Sequence, residues 1–341
     1  MRKLDTPSHF FTKTLKNYRI YDKMKIVNFE NRLKGKIKMK FIEIGDMHAS
    51  SVSLGCMRMS NLDQKRVDEI IDTAIENGIN FFDHADIYGG GNSERLFGEY
   101  LKRHTGTREK IYIQTKCAIH DGQFDFSKDH IINSVEGSLM RLGVDYVDAL
   151  LLHRPDTLME PSEVAEAFDI LKTSGKVRNF GVSNHNPMQI ELLKTAVKEP
   201  LIINQLQFSL TEAGMVTSGM NANMKNAESV MHDGSVLEYS RIKNITIQAW
   251  SPFQHGFFGG TFIDNPEFDE LNKKLGEMAE KYGITKTGIA AAWILRHPAG
   301  IQLISGTMNP ERLYDICQAT TVTLSRADWY ALYRAAGHSL P

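Results

Sequence analysis

From residue 39 onward the chain alternates between two hydrophobic periodicities. Short, β-rich apolar runs are each followed by a polar or Gly-containing turn and then by a stretch with apolar residues at helical spacing. The runs are VSLGC (52–56), NFFDHA (80–85), IYIQTKC (111–117), VDALLLH (147–153), NFGVSN (179–184), INQLQFS (203–209), TIQAWSP (246–252) and IQLISGT (301–307). Among the intervening stretches, DQKRVDEIIDTAIENG puts Val67, Ile70, Ile71, Ala74 and Ile75 on one helical face and stops at Gly78. KDHIINSVEGSLMRLG ends at Gly143, and PSEVAEAFDILKTSG opens on Pro161 and ends at Gly175. Strands separated by helices need long crossovers, so neighbours pair in parallel. Eight such units predict the α/β class and a closed (β/α)8 TIM barrel. An open doubly wound sheet would carry GxGxxG at its first turn, which here reads LGCMRMS.

Two further elements complete the expected fold. KFIEIGDMHASSVSLG predicts an N-terminal hairpin across the barrel floor, turning at Gly45 and Asp46, and SRADWYALYRAAG predicts an extra C-terminal helix with an aromatic face. The connections after the sixth and seventh runs, AGMVTSGMNANMKNAESVMHDG and FQHGFFGGTFIDNPEFDE, are too long and too rich in Gly and Asn for simple connectors. They are candidate cofactor or substrate loops, in which Met215, Met220, Met224 and Met231 offer an adaptable apolar wall.

Composition narrows the setting. With 341 residues, 42% of them hydrophobic and 24% charged, the chain can bury a sizeable core. No apolar run approaches the roughly 18 residues of a membrane span, so no membrane partner is expected. Cys56, Cys117 and Cys317 are far apart, odd in number and form no CxxC pair, which argues against a disulfide framework or zinc cassette and for a cytoplasmic location. The net charge of −1 conceals an asymmetry: residues 1–38 carry 11 Lys/Arg against 3 Asp/Glu, leaving 29 against 38 in the rest. An acidic body excludes nucleic acid as the expected partner. Residues 1–38 lack a secretory h-region and read as a basic, disordered extension, or as a stretch upstream of a start at Met39; a basic surface-binding tail is the other reading. The barrel domain is expected over 39–341. Oligomeric state is not legible.

Barrel chemistry sits at the C-terminal ends of the strands. FFDHADIYG (81–89) delivers four proton carriers there: Asp83, His84, Asp86 and Tyr88. Strand three adds Lys116 and strand four His153. Lys and Tyr seldom ligate zinc, so no metal is expected. As a proton-transfer set the group is well matched. A phenol with pKa about 10 is a poor acid or base at neutrality, and a neighbouring ammonium is expected to draw that value down. Asp83 would keep Lys116 charged, Tyr88 would exchange the proton of an alcohol/carbonyl couple, and His153 would hydrogen-bond the same oxygen. Alternation along the strand points Asp83 inward and His84 toward the helices, leaving Asp86 to shape the turn. His185 reads as a structural imidazole.

FFDHADIYG, IQTKC, LLHRPD, GVSNH and INQLQFS occur in the order and spacing of the aldo-keto reductases, and the chain resembles that family over roughly residues 40–339. FDHADIYGG and the tail WYALYRAAGHSLP look most like a bacterial branch of uncharacterised NADPH-dependent reductases. The resemblance implies hydride transfer from NADPH to the carbonyl of an aldehyde or ketone, with Tyr88 as general acid/base and Asp83, Lys116 and His153 completing a tetrad. It also implies that Ser183, Asn184 and Gln205 hold the nicotinamide carboxamide, that Trp250 stacks on the nicotinamide, and that Ser251 and Gly256 wrap the pyrophosphate. Thr307, Asn309 and Arg312 fall where the family grips the adenosine 2′-phosphate. Gly306 and Met308 stand where strongly NADPH-selective members often carry Lys or Arg, and Asp315 and Ile316 replace the family's adenine pair. NADPH is expected over NADH. The alternative is an NADPH-binding regulatory subunit on the same barrel, like the potassium-channel β subunits, with little turnover.

Overall fold

Eight parallel strands close into a barrel in the computed structural model, which describes residues 39–120, 123–220, 235–256 and 259–338. They are β1 (Val52–Gly55), β2 (Phe81–Asp83), β3 (Tyr112–Cys117), β4 (Val147–Leu152), β5 (Val177–Ser183), β6 (Leu201–Gln207), β7 (Thr246–Trp250) and β8 (Gln302–Ser305). Each strand pairs with the next, and Leu303 opposite Val52 joins β8 back to β1, so no edge remains unpaired. All eight apolar runs become barrel strands. β5 and β6 begin two residues earlier than the runs suggested. In β5 the charged Arg178 is accommodated because its side chain leaves the barrel, lying 3.7 Å from the Tyr146 ring centroid and 3.3 Å from Asp148 Oδ1.

The expected floor hairpin pairs Phe41–Ile44 with Met47–Ser50. Its turn needs glycine twice over: Gly45 has φ +58°, and a Cβ there would lie 2.7 Å from Ile202 Cδ1. Ile44, Met47 and Ala49 pack on Phe81, Ala149, Leu151 and Ile203, closing one end of the barrel with apolar contacts. Burying a side chain such as Ile44 contributes about 1.5–3 kcal/mol.

The helices are α1 (Gln64–Glu76), α2 (Asn92–Arg103), α3 (Lys128–Leu142), α4 (Pro161–Thr173), α5 (Pro187–Leu193), α6 (Gly214–Met220), α7 (Val236–Ile242), α8 (Asp269–Tyr282), α9 (Lys286–Leu295), α10 (Pro310–Gln318) and α11 (Arg326–Ala335). Asp63 caps α1 by accepting from Arg66 N at 2.9 Å, and Val67, Ile70, Ile71 and Ala74 are buried as their spacing predicts. Ile75 falls at the edge of that face and is exposed. α11 owes its aromatic face to docking on α9. Trp329 stacks on Trp293 at 4.7 Å, and each indole N–H donates to the other residue's backbone carbonyl, at 3.1 and 3.0 Å. The Tyr333 hydroxyl meets Thr217 Oγ1 of α6 at 2.6 Å, bracing the start of the long connection after β6. A two-stranded hairpin not foreseen from the sequence, Ile119–His120 with Gln123–Phe124, follows β3. Residues 1–38, for which a basic extension was expected, lie outside the described residues.

Candidate active site

Asp83, Tyr88, Lys116 and His153 come from three consecutive strand ends and converge on one point. Lys116, with no solvent exposure, places Nζ 2.7 Å from Asp83 Oδ1 and donates to the His84 carbonyl at 2.8 Å and the Tyr88 hydroxyl at 3.1 Å. The Tyr88 ring meets the His153 imidazole edge to face, centroids 6.0 Å apart at 80°. Asp83 is also bound from below, its Oδ1 accepting from Gln114 Nε2 at 2.6 Å and Gln205 Nε2 at 3.1 Å. The rest of FFDHADIYG behaves as its alternation predicts. His84 points outward, its buried ring edge-on to Phe97 of α2 at 4.7 Å, and Asp86 sits in the turn with its backbone N–H donating to the Lys116 carbonyl at 3.0 Å. His185 is buried, with Nδ1 2.9 Å from the Ser183 carbonyl oxygen.

The electrostatics differ from expectation at one group. Burial pushes the Tyr88 hydroxyl above its ordinary value, and the Lys116 ammonium, pulling the other way, does not overcome it. The phenol therefore stays protonated at neutral pH, where it can donate but seldom exists as phenolate. For Lys116, burial alone would strip the charge, yet the Asp83 carboxylate and the Tyr88 oxygen outweigh it and hold the pKa above that of ordinary lysine. Burial and then the charges of Lys116 and Arg154 drive His153 far below its usual value, so it is a neutral imidazole whose buried Nδ1 has no partner. Burial and the neighbouring Glu94 raise Asp86 to about 6.

His84 carries a testable stability consequence. Burial lowers its pKa from 6.5 to about 3, so between those values the unfolded chain binds a proton that the folded chain does not. Stability must then fall as pH drops through that window. His84→Leu is expected to flatten the fall by up to about 1.4 kcal/mol per pH unit. Denaturant unfolding across that pH range measures it; an unchanged slope would mean that His84 is protonated in the fold.

A cavity of about 1040 Å³ opens over these strand ends. Tyr88 and His153 line it together with Ser183, Asn184, Gln205, Trp250 and Ser251, and its wall continues through Thr307, Asn309 and Arg312 at the start of α10. Asn184 adopts a left-handed φ of +60° that turns its amide toward β7, where its Oδ1 accepts from Trp250 Nε1 at 3.2 Å and fixes the indole. Asn309 caps α10 by accepting from Arg312 N at 3.1 Å. Gly256 stands apart from this set: it is exposed, and its N–H donates to Glu212 Oε1 at 2.8 Å. Met215 is buried and Met220 half-buried, neither on the cavity wall, and Met224 and Met231 lie outside the described residues.

Three arginines on the wall were not anticipated. Arg58, from the turn after β1, donates to the Gly306 carbonyl at 3.1 Å, and Arg66 reaches the cavity from α1. Arg154 follows His153 directly and lies 5.8 Å from the Trp250 ring centroid. Only the last carried a signal in the sequence, as the residue after a strand-end histidine. Arg58 and Arg66 become visible once closure brings the β1 turn beside the β8 turn.

A buried ammonium–carboxylate pair lies beneath a phenol at the mouth of a closed barrel, beside a cavity whose wall carries polar side chains and arginines. The sequence model of the aldo/keto reductase family matches residues 51–336, so the chain belongs to that family and is an NAD(P)H-dependent oxidoreductase. Among its relatives, the uncharacterised oxidoreductase YcsN of Bacillus subtilis is 37% identical over 311 residues, covering 87% of this chain and 97% of that one. A 6-dehydroglucose reductase of Agrobacterium fabrum is 36% identical over 276 residues, covering 78% and 86%. The crystal structure of an aldo/keto reductase from Klebsiella pneumoniae in complex with NADP and acetate is similar with TM-score 0.71 over 89% of this chain and 96% of that one; at 23% identity the likeness is one of fold.

Proposed function

We propose that the protein reduces the carbonyl of an aldehyde or ketone with NADPH, and that Tyr88 donates the proton. The observation that carries this reading is the Tyr88 hydroxyl, 3.1 Å from the buried Lys116 ammonium and on the wall of the cavity. The residues present suit a nicotinamide dinucleotide. Trp250 offers a ring fixed by Asn184, and Gln205 has its amide N–H groups committed to Asp83 and Gln248, which leaves its carbonyl oxygen as acceptor for a carboxamide N–H. At the far end, the N-terminus of α10 with Arg58, Arg66 and Arg312 supplies cationic groups and a helix dipole for phosphate. When bound there, the dihydronicotinamide supplies the hydride. Neutral His153 and the Tyr88 hydroxyl then grip the carbonyl oxygen, polarising it and orienting the carbon. Tyr88 releases its proton to the developing alkoxide, and Lys116, held by Asp83, stabilises the phenolate left behind.

NADPH oxidation across a panel of carbonyls, including 6-dehydroglucose because a relative bears that name, tests the reading. Oxidation with at least one member is expected. Tight NADPH binding with no oxidation by any carbonyl would favour the regulatory-subunit alternative instead. Arg312→Ala is expected to weaken NADPH about tenfold while leaving NADH nearly unchanged, since it removes a charge-assisted contact to the 2′-phosphate. Equal losses for both cofactors would show that Arg312 does not read that phosphate. A reducing compartment belongs to the proposal, supported by Cys56, Cys117 and Cys317 being buried and unpaired. No helix among the described residues is long and apolar enough to cross a membrane.

A further inference from the structure

Below the tetrad, four buried glutamines form a column along the inside of the barrel. Gln114 (β3) and Gln205 (β6) both donate to Asp83 Oδ1, and each also donates to Gln248 Oε1 (β7), at 2.8 and 3.0 Å. Gln248 Nε2 donates back to Gln114 Oε1 at 3.1 Å and down to Gln302 Oε1 (β8) at 2.7 Å. Gln302 Nε2 ends the column on the backbone carbonyl of Ser50, in the floor hairpin, at 2.8 Å. Gln114, Gln248 and Gln302 have no solvent exposure, Gln205 only 3%, and none of the lower three lines the cavity.

The direction of these bonds is fixed from the bottom. A backbone carbonyl can only accept, so Gln302 must turn its N–H groups to Ser50 and its oxygen upward. Gln248 must then present N–H groups to Gln302 and its oxygen to Gln114 and Gln205. Those two are left showing N–H groups to Asp83. Flipping any one amide would set oxygen against oxygen among side chains that are closed to bulk solvent. Every group at Asp83 is consequently a donor: Gln114, Gln205 and the Lys116 ammonium. A protonated Asp83 would find no acceptor among these three partners.

We propose that Gln114, Gln248 and Gln302 are positioning residues for catalysis, and that the polarity set by the Ser50 carbonyl holds Asp83 as a carboxylate and so keeps Lys116 charged beside Tyr88. This rests on the proposed role of Tyr88, but it is readable without turnover.

The test uses Gln248→Met, a substitution of similar shape that interrupts the column without touching the cavity wall, and Gln302→Met, which removes the anchor alone. In the full-length protein carrying ¹³C-carboxyl aspartate, infrared spectroscopy reads the carboxylic-acid band; its loss on adding Asp83→Asn assigns it to Asp83 and separates it from Asp86. In both variants the band is expected to appear at a pH about one unit higher than in the parent protein, an increment worth about a factor of ten in the proton equilibrium. Alongside it, kcat should fall about tenfold with KM and NADPH affinity within about twofold. Charged and titratable groups around Tyr88 other than this pair (His153, Arg154 and Cys56) carry no aspartate label and cannot mimic the signal. Variants that bind NADPH, lose thermal stability, and yet keep the parent band position and kcat would overturn the proposal and leave the column as structure only. If Gln248→Met does not fold, Gln302→Met carries the same decision. Should no carbonyl be reduced by the parent protein, the reductase reading fails, while the infrared comparison still judges the column.

Discussion

Replacing Tyr88 with phenylalanine is expected to lower kcat by about 10²–10⁴-fold, the range for a positioned proton donor. NADPH affinity should stay nearly constant, because the ring remains in place and only its hydroxyl, bound to Lys116 at 3.1 Å, is lost. Stability should change little or rise slightly: the hydroxyl is costly to bury, and its removal relieves Lys116 of only one of several partners. Steady-state kinetics with fluorescence titration of NADPH measures both arms. Near-native turnover in Tyr88→Phe would remove Tyr88 from the reaction and direct attention to His153, the other group at the same opening.

The second large effect concerns the pair beneath it. Lys116→Met leaves a buried carboxylate with two amide donors and no counter-ion, and breaking such a pair costs about 3–5 kcal/mol. Turnover should vanish along with the stability. In the double variant Asp83→Leu with Lys116→Met, the uncompensated charge is gone, so denaturant unfolding should recover part of the loss. Recovery stops short of the parent value because Gln114 and Gln205 are then left with donors facing an apolar side chain. Activity should not return. A double variant no more stable than Lys116→Met would show that the charge on Asp83 is not what destabilises the single one.

The barrel and the residues of the tetrad were legible for the same reason: both are written locally. Each strand is a short apolar run, and Asp83, Lys116 and His153 each stand where such a run meets a turn, so topology alone delivers them to one opening. The floor hairpin and the capped helices likewise announce themselves through Gly45, Asp63 and Gly143. What escaped notice depends on register between strands. Gln114, Gln248 and Gln302 read as ordinary strand residues in IQTKC, TIQAW and IQLIS, and Gln205 only as a cofactor contact; nothing in one run says that its inward amide meets another 134 residues away. Arg58 and Arg66 were missed because they reach the cavity only after β8 closes on β1. The sign at Tyr88 was misjudged for a further reason: the sequence shows which charge stands beside a phenol but not how much water is taken away.

The three indoles divide cleanly. Trp293 and Trp329 are locked together in the scaffold between α9 and α11, while Trp250 stands alone on the cavity wall with its N–H held by Asn184. Light absorbed by the protein is therefore emitted from two unlike environments, a self-stacked pair that senses the integrity of the C-terminal helices and a solitary ring that senses whatever lies against it. The molecule thus carries separate built-in optical reporters for folding and for occupancy, without any label.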